Sequence, residues 1–566
     1  MEILKLAKWV SWEKFGLKIP SLRVFNLKKN WRKVVVVLAI ILAGNGFLVA
    51  YINSENTIHA WDHASYYRQA IEMSDAGWGG SVGQVIDSIN SEYPGVLLLP
   101  VTDVLRLFGW DGNRLSFVLA LFNVYAVPSM LLGGYLLGRL VRKDKFKLLI
   151  IVMLVATVST ILMTPIALAR PDIGGIFIVT LILAVLLRQK TRWHKRSMGS
   201  NIAYAVVLAG LVMLLIVSRR TFAYWVVSAA LAGGVLAVSL AIKSKRILYV
   251  GEYLLRVAAV ATLSLILMFL LVRPQFDRLF WNYGDLYEYY RADSLSQMRD
   301  LLGLVGIITL AMIIAAAVLV VRYQNKTISR IGILACSQIV IVVVLFLNTQ
   351  NFGEHHLYLV APSVIFLLST ALYIAKVQVI KWCFALVMVC NFLNVYIVNQ
   401  HSIWWGRPYA PEQRNDMEQL RAMSEYVEGL DSKVYVLASS SVFNDSLLRE
   451  IFLPDTARVY AANVGLTHVG DTRDGFPKHF WDMKYIAVEY PPDRPDLATM
   501  RVVNVLARYV LEGRMENLEL VREFKLMNGV TARFYEKVRE YDEELIDAVD
   551  KEMRGYYPDK PELWAR

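Results

Sequence analysis

The amino-acid sequence predicts a polytopic α-helical membrane protein with a small α/β domain at its C-terminal end. Hydrophobic residues make up 56% of the 566 positions, and the mean hydropathy of +0.43 is too apolar for a soluble chain of this length. Apolar runs of about 20 residues, long enough to cross a hydrocarbon core, recur along the first 400 positions. Beyond them, short strand-like and helix-like segments alternate, which indicates an α/β domain.

The apolar runs predict about eleven membrane spans. The fourth and fifth runs are short, which favours tilted or broken helices there. The runs lie near 34–52, 115–138, 148–168, 173–187, 203–217, 222–242, 257–272, 301–321, 331–347, 357–375 and 382–399.

The Lys and Arg residues are distributed unequally between the two sides of these spans. With a cytoplasmic N-terminus, the inner segments hold 28 of them and the outer segments hold 9. The positive-inside rule therefore places residues 400–566 outside the cytoplasm. Residues 1–33 mix aromatic, apolar and basic side chains and predict an amphipathic segment on the inner leaflet. We expect an integral plasma-membrane protein, and the lack of cysteine in the outer regions fits a bacterial origin.

Several other functions are disfavoured by the sequence. The basic stretch "RQKTRWHKR" (188–196) is most simply a cytoplasmic anchor against anionic lipid, so no nucleic-acid partner is expected. The chain contains no phosphate-binding G-x-x-x-x-G-K-[ST] motif and no H-E-x-x-H zinc motif. Its charged residues cluster at the outer face rather than at mid-membrane, which argues against a transporter.

The first outer region, 53–113, is more than a tight turn. "WDHASYYRQAIEMSDAG" (61–77) has Ala64, Tyr67, Ala70 and Ile71 at helical spacing and predicts a helix on the membrane surface. "VGQVIDSI" (82–89) predicts a second short helix, and "SEYPGVLLLP" returns the chain toward the bilayer.

The C-terminal domain, 400–566, is predicted from its alternating pattern. Strands are expected within 433–439, 457–463 and 484–490, and a hairpin over 518–538 turns at Asn528–Gly529. Helices are expected within 411–430, 445–451, 475–482 and 496–513.

Asp62 is the first candidate for chemistry. A carboxylate at the membrane boundary can accept a proton from a substrate hydroxyl near the lipid headgroups. The alternative is that Asp62 caps a helix, because Asp before "HASYY" is a good N-cap residue. Glu92 is the second carboxylate of this loop and could position an acceptor or share a divalent cation such as Mg²⁺ or Mn²⁺ with Asp62, although a solvated loop acid is the simpler interpretation.

Three further outer turns carry ionisable residues. Arg170 and Asp172 follow the third run, and Arg219 and Arg220 follow the fifth. Arginine on this side runs against the positive-inside bias, so the two turns could gather around an anionic headgroup, or their side chains could snorkel to the interface. At the start of the tenth run, Glu354, His355 and His356 could bind phosphate, donate a proton or ligate a metal.

Three short stretches resemble motifs of the GT-C superfamily of membrane glycosyltransferases, which includes protein O-mannosyltransferases and bacterial aminoarabinose transferases. "WDHASYY" is similar to its D-E-x-x-Y element, with His63 where Glu is frequent. "EYPGVLLLP" resembles its H/Y-P-P-x-x-Y element, with Gly95 in place of the second Pro. "EHHLYLVAP" resembles its x-R-Y-x-x-P element, with His356 in place of Arg.

The resemblance implies a GT-C-like fold and an inverting transferase that uses a polyprenyl-phosphate-linked sugar on the extracytoplasmic side. The acceptor would be a lipid, glycan or protein of the cell envelope. Asp62 would be the general base, and Arg170, Arg219, Arg220 and His355 or His356 would stabilise the phosphate leaving group. A lipid-linked glycan flippase and a non-catalytic scaffold are the alternatives. The remaining candidates, for substrate binding, are His63, Tyr66, Tyr67, Glu92, Tyr93, Asp172 and Glu354.

Overall fold

The structure is a computed structural model, and its first 400 residues form a bundle of apolar helices. The described residues are 27–89, 91, 94–141, 144–188, 197–281, 293–350, 352–398, 402–407, 409–453, 464, 470–492 and 500–560. The helices of this part are, in chain order, α1 (Leu27–Asn53), α2 (Asp62–Asp75), α3 (Gly77–Ser88), α4 (Leu99–Leu107), α5 (Arg114–Val141), α6 (Lys145–Thr157), α7 (Thr160–Ala167), α8 (Ile173–Arg188), α9 (Met198–Ser218), α10 (Phe222–Ser244), α11 (Leu248–Leu271), α12 (Arg273–Arg278), α13 (Ser294–Val305), α14 (Ile307–Val321), α15 (Lys326–Leu347), α16 (Ala361–Ile374) and α17 (Gln378–Val398).

The polytopic helical architecture predicted from hydropathy is confirmed. Among the described residues, seven helices are long and apolar enough to cross a membrane, and the number rises to nine if each of two bent pairs is one span. Two more apolar helices, α8 and α16, fall below 18 residues. All eleven predicted runs are therefore helical, but the count of eleven spans is not confirmed.

The breaks lie elsewhere than predicted. The fifth run belongs to α9, which has 21 residues because Ser197 caps it upstream of the apolar run. The third run is instead divided into α6 and α7, which are bent by 55°. The eighth is divided into α13 and α14, which are bent by 84° at Gly306. Hydropathy counts apolar residues and carries no information on the direction of the backbone, so it did not reveal these bends.

The bend at Gly306 is held by a second glycine. Gly306 has φ 81°, and the segment 402–407 crosses it with Gly406 at φ 68°. The amides of Ile307 and Ile308 donate to the carbonyls of Ile403 and Trp404 at 3.0 and 3.1 Å. These bonds satisfy the first amides of α14, which have no partner within the helix itself.

The two predicted helices after α1 are present as α2 and α3. Ala64, Tyr67, Ala70 and Ile71 are all buried, so the face predicted from their spacing is confirmed. Residues 1–26 lie outside the described part of the chain, and α1 already begins at Leu27, within the segment predicted to be amphipathic.

In its described residues, the C-terminal domain has a four-stranded mixed sheet with helices on both faces. Its elements are α18 (Met417–Glu428), β1 (Val434–Leu437), α19 (Asp445–Glu450), α20 (Asp471–Asp474), β2 (Tyr485–Tyr490), α21 (Arg501–Leu511), β3 (Leu518–Lys525), β4 (Thr531–Lys537) and α22 (Glu543–Tyr556). The strand order is β1-β2-β4-β3, with β1 and β2 parallel and the other pairs antiparallel.

Alternate residues of β1 enter different cores, as the period of two in a strand requires. Val434 and Val436 pack with α18 and α19, whereas Tyr435 and Leu437 pack with α21 and α22. Strand β3 ends the sheet, and its register shifts by one residue between Leu520 and Arg522.

Most predicted elements of this domain are present. The hairpin turns at Asn528 and Gly529, which have φ values of 58° and 76°. The strand predicted within 457–463 lies outside the described residues. Helix α22 was not predicted, although Val549 and Met553 already show the spacing of its buried face.

Candidate active site

Asp62 lies at the start of α2, where the chain leaves α1. Its carboxylate Oδ2 is 3.0 Å from Arg170 Nη1 and 3.4 Å from Arg219 Nη2, and the side chain is 27% exposed. The capping position of α2 is Trp61, and no side chain caps this helix. The Asp62 carboxylate is therefore paired with two guanidinium groups. Asp62 is not the N-cap residue of α2, which was the alternative interpretation of the sequence.

Arg170 reaches Asp62 from the turn between α7 and α8. The turn is tight, because Ala169 adopts φ 58° and the amide of Arg170 donates to the carbonyl of Pro165 at 2.9 Å. The Arg170 side chain is only 5% exposed, and its Nη2 also lies 4.0 Å from Glu354 Oε1. One arginine thus joins two carboxylates from different parts of the chain.

Arg219 occupies the turn between α9 and α10 and joins three groups. Its Nε is 3.1 Å from Asp172 Oδ1, its Nη1 donates to Tyr66 Oη at 2.5 Å, and its Nη2 faces Asp62. Burial raises the pKa of the Tyr66 hydroxyl, so this group stays protonated. The planar guanidinium fork allows one side chain to serve three partners. Arg220 follows in the same turn.

Glu354, His355 and His356 stand in the short 3₁₀ helix before α16. Burial alone would raise the pKa of Glu354, but a hydrogen bond from His355 and the charges of His355 and Arg170 hold that pKa below its ordinary value. His355 Nδ1 is 3.8 Å from Glu354 Oε1. Glu354 is therefore a carboxylate at neutral pH.

His356 differs from its neighbour because it is a buried, neutral imidazole. Its Nδ1 accepts the amide of Gly353 at 2.9 Å, and its ring packs 4.3 Å from that of Phe346. Burial, followed by the charges of His355, Arg219 and Arg170, lowers its pKa well below the usual value. His356 is thus suited to supporting the turn rather than to carrying positive charge.

The other predicted substrate-binding residues are dispersed. Tyr67 lies in the core, where its hydroxyl donates to the carbonyl of Gly112 and its ring is 5.7 Å from that of Phe117. His63 is the second residue of α2. Glu92 and Tyr93 lie outside the described residues.

Among the described residues, the charges in contact at the site include three carboxylates, those of Asp62, Asp172 and Glu354, and the guanidinium groups of Arg170 and Arg219. Two cationic side chains contact Asp62 Oδ2, and the divalent cation expected between Asp62 and Glu92 stays a prediction because Glu92 lies outside the described residues. Within the described ranges, no three His, Cys, Asp or Glu side chains gather as metal ligands. The two guanidinium groups are suited to an anionic ligand such as a phosphate.

A second charged group that sequence reasoning missed supports the loop after α1. Arg114 forms an ion pair with Glu55 and donates to the carbonyl of Ala167 at 3.0 Å, while His59 Nε2 is 3.5 Å from the Glu55 carboxylate. These contacts tie the loop to the end of α7, next to Arg170. The sequence did contain a sign of this group, because Glu55 and Arg114 are charged residues close to the ends of two apolar runs.

The C-terminal domain contacts the same helix that carries Asp62. The amide of Trp61 donates to Ser446 Oγ at 2.9 Å, and Arg68 forms an ion pair with Glu450. Between them, these contacts join α2 to α19. Asn56 also pairs with the segment at 412–414 through its backbone.

These groups provide two kinds of chemistry side by side. A carboxylate at the mouth of the bundle can accept a proton from a hydroxyl. Guanidinium groups bind phosphate oxygens through paired hydrogen bonds and stabilise a negative leaving group. The site lies where apolar helices end, which is where the headgroup of a membrane lipid would lie.

Neither the protein-family models nor the curated proteins give a match to this sequence. Among solved structures, the chain is similar to the oligosaccharyltransferase AglB from Archaeoglobus fulgidus in complex with an inhibitory peptide and a dolichol-phosphate. The identity is 14% and the TM-score 0.44, over 90% of this chain and 74% of that one.

The chain is also similar to ArnT from Cupriavidus metallidurans. For ArnT bound to undecaprenyl phosphate, the identity is 13% and the TM-score 0.46, over 90% of this chain and 98% of that one. For apo ArnT, the identity is 14% and the TM-score 0.48, over 89% and 98%. AglB and ArnT both belong to the GT-C superfamily, the one that the three sequence motifs resemble.

Proposed function

We propose that this protein is an inverting glycosyltransferase that moves a sugar from a polyprenyl-phosphate donor to a hydroxyl group on the extracytoplasmic side of the membrane. The sugar would be a hexose or a pentose, and the acceptor a lipid, glycan or protein of the cell envelope. One observation carries this proposal: Asp62, Arg170 and Arg219 converge from three separate turns at the end of an apolar bundle. That convergence supports a site in which a carboxylate accepts a proton while guanidinium groups bind a phosphate.

In the proposed reaction, Asp62 accepts the proton of the acceptor hydroxyl. The hydroxyl oxygen attacks the anomeric carbon and forms the new glycosidic bond from the face opposite the phosphate. The bond between the anomeric carbon and the phosphate oxygen breaks, and its electron pair leaves with polyprenyl phosphate. The configuration at the anomeric carbon is therefore inverted.

Arg170 and Arg219 hold the donor phosphate in this proposal, with Arg220 and His355 beside them. Their guanidinium groups now contact Asp62, and a carboxylate with two such partners is a weak base. A donor phosphate competes for the same guanidinium groups. Its binding therefore leaves Asp62 better able to accept a proton.

The remaining residues are assigned to sugar and acceptor. In this proposal, Asp172 and Glu354 are carboxylates that accept hydrogen bonds from sugar hydroxyls, and the Tyr66 hydroxyl, which accepts a hydrogen bond from Arg219, lies beside them. His63, Glu92 and Tyr93 follow Asp62 in the same outer region and are candidates for the acceptor side. No step is routed through a metal ion.

The test compares wild type with Asp62→Asn in purified membranes. Both are offered a panel of polyprenyl-phosphate sugars together with envelope lipids and glycans, and release of free polyprenyl phosphate is measured. Asp62→Asn keeps the size of the side chain but cannot accept the proton, so its turnover should fall by about a hundredfold or more.

Asp103→Asn is the matched control. Asp103 has a similar exposed fraction, 28%, and also forms an ion pair, with Arg106 at 2.9 Å. The Asp103→Asn variant should release polyprenyl phosphate at the wild-type rate. If the folded wild-type protein releases polyprenyl phosphate from none of the donors, the proposal is overturned in favour of a flippase or a scaffold.

A further inference from the structure

The residue before Asp62 adopts a backbone conformation that is rare for a large side chain. Trp61 has φ 54° and ψ −130°. In this region the Cβ of an L-residue crowds its own backbone, and the conformation is common only for glycine. A bulky residue keeps it only where surrounding contacts over-determine the turn, and such positions cluster at active sites.

The contact on the amide side of this turn comes from the C-terminal domain. The amide of Trp61 donates to Ser446 Oγ at 2.9 Å, and Ser446 is only 3% exposed. On the other side, the carbonyl of Trp61 accepts the amide of Ser65 at 2.9 Å and so begins α2. The turn is thus fixed between the first turn of α2 and a hydroxyl 385 residues away in sequence.

A second contact fixes the same pair of helices. Glu450 lies four residues after Ser446 on α19, and its carboxylate, 1% exposed, pairs with Arg68 of α2. Together with the bond from Trp61 to Ser446, this ion pair limits how α2 can shift against α19. The hydrogen bond from Ser446 therefore reaches the Trp61 turn while α2 and α19 are also held together by the ion pair.

We infer that Ser446 is a positioning residue for the reaction proposed above: it holds the Trp61 turn so that the Asp62 carboxylate faces Arg170 and Arg219. Asp62 comes directly after this turn, and its Oδ2 lies 3.0 and 3.4 Å from the two guanidinium groups. A change in φ or ψ of Trp61 would displace the Asp62 carboxylate relative to the two arginines. The C-terminal domain thereby sets the geometry of a residue that lies outside it, at the start of α2.

The test measures kcat, KM for the donor and melting temperature for Ser446→Ala in the full chain. We expect kcat for polyprenyl phosphate release to fall by about tenfold to a hundredfold, because the base is displaced by a fraction of an ångström. KM for the donor should stay at its wild-type value, since the arginines remain. The control is Ser441→Ala, an exposed serine of the same domain, which should keep the wild-type kcat.

A rescue experiment separates positioning from general damage. In the Ser446→Ala background, Trp61→Gly and Trp61→Ala remove the same indole, but only glycine adopts φ 54° without strain. The glycine variant should therefore recover kcat relative to the alanine variant.

Wild-type kcat in Ser446→Ala, or equal kcat in the two Trp61 variants, would overturn the inference. So would a lower melting temperature with unchanged kcat per folded molecule. Because the inference rests on the proposed function, a wild-type chain that releases no polyprenyl phosphate overturns both. The three outcomes named for the Ser446 and Trp61 variants would overturn the positioning role of Ser446 and leave the proposed function standing.

Discussion

At the scale of single residues, His356 shows how burial decides the role of an ionisable group. Its position in a stretch that resembles a motif with arginine suggested a cation. In the structure its Nδ1 accepts the amide of Gly353, and its ring lies among Phe346 and Phe352. The group is therefore neutral, unlike the guanidinium groups of Arg170 and Arg219 at the same site.

This burial makes stability depend on pH in a defined direction. The pKa of His356 is well below its usual value in the folded chain, whereas in the unfolded chain it is about 6.5. Below that pH only the unfolded chain takes up the proton, so stability falls as the pH is lowered, by up to about 1.4 kcal/mol per pH unit. The melting temperature of wild type should therefore drop between pH 7 and pH 5 more steeply than that of His356→Asn.

Asparagine is the informative replacement because its side-chain oxygen stands near the position of Nδ1 and does not titrate. It can still accept the amide of Gly353. His479→Asn, at an exposed position of the C-terminal domain, is the control and should keep the wild-type dependence on pH. Parallel curves for wild type and His356→Asn would show that His356 is not the group responsible.

At the scale of elements, the bend between α13 and α14 depends on two facing glycines. A Cβ at Gly306 would meet backbone atoms of Gly406, Trp405 and Trp404, with the carbonyl carbon of Trp405 at 2.6 Å. Backbone atoms cannot rotate away as a side chain can. The bend and the chain segment that leads to the C-terminal domain therefore depend on each other.

Gly306→Ala should lower the melting temperature by several degrees. The substitution adds the cost of a positive φ, about 1 kcal/mol or more, and also separates the two backbone segments. Gly303→Ala is the matched control, since it lies in α13 with nothing within 4 Å of its Cβ. There alanine should be neutral or stabilising, because it is the better helix former. Similar melting temperatures for the two variants would contradict the role of the glycine pair.

The sequence predicted elements well where the signal is local. Every apolar run became a helix, and the hairpin formed at Asn528–Gly529 because both residues tolerate positive φ. The bend between α6 and α7 was missed because the small hydroxyl residues Thr157, Ser159 and Thr160 are too few to interrupt an apolar run of this length. Only the backbone conformation at Ser159 shows that the helix ends there.

At the scale of the whole molecule, the attachment of the C-terminal domain to the bundle depends on a buried ion pair. Arg68 and Glu450 are separated by 382 residues, and the Glu450 side chain is 1% exposed. Removing the arginine leaves a carboxylate in a buried place without its guanidinium partner. Such changes cost about 3 kcal/mol or more.

Arg68→Ala should therefore lower the melting temperature of the full chain markedly, and the double variant Arg68→Met/Glu450→Met should recover most of the loss. Two apolar side chains need no ionic partner and fill a similar volume. Arg273→Ala removes an exposed pair with Asp277 and should have little effect. Equal losses for Arg68→Ala and Arg273→Ala would contradict the attachment.

The candidate site was predictable only in part, because its residues are far apart in the sequence and their contacts depend on how the segments pack. The sidedness of the spans indicated that Asp62, Arg170 and Arg219 share one end of the bundle. It carried no information on the direct contacts among them, nor on Ser446, whose partner Trp61 is far away in sequence. Local patterns determine which residues reach a surface, while the packing of distant segments determines which of them touch.

In the part of the chain that the structure describes, β3 is an edge strand of the sheet, and this has a consequence where many copies share one bilayer. Proteins confined to a plane collide far more often than they would in solution, and an unpaired strand invites a neighbour to add to it. Strand β3 carries Glu519, Arg522, Glu523 and Lys525 along that edge, and its register shift twists the ladder. Adding a strand would desolvate these charged side chains and would have to follow a distorted ladder, and both features disfavour strand addition between copies at the membrane.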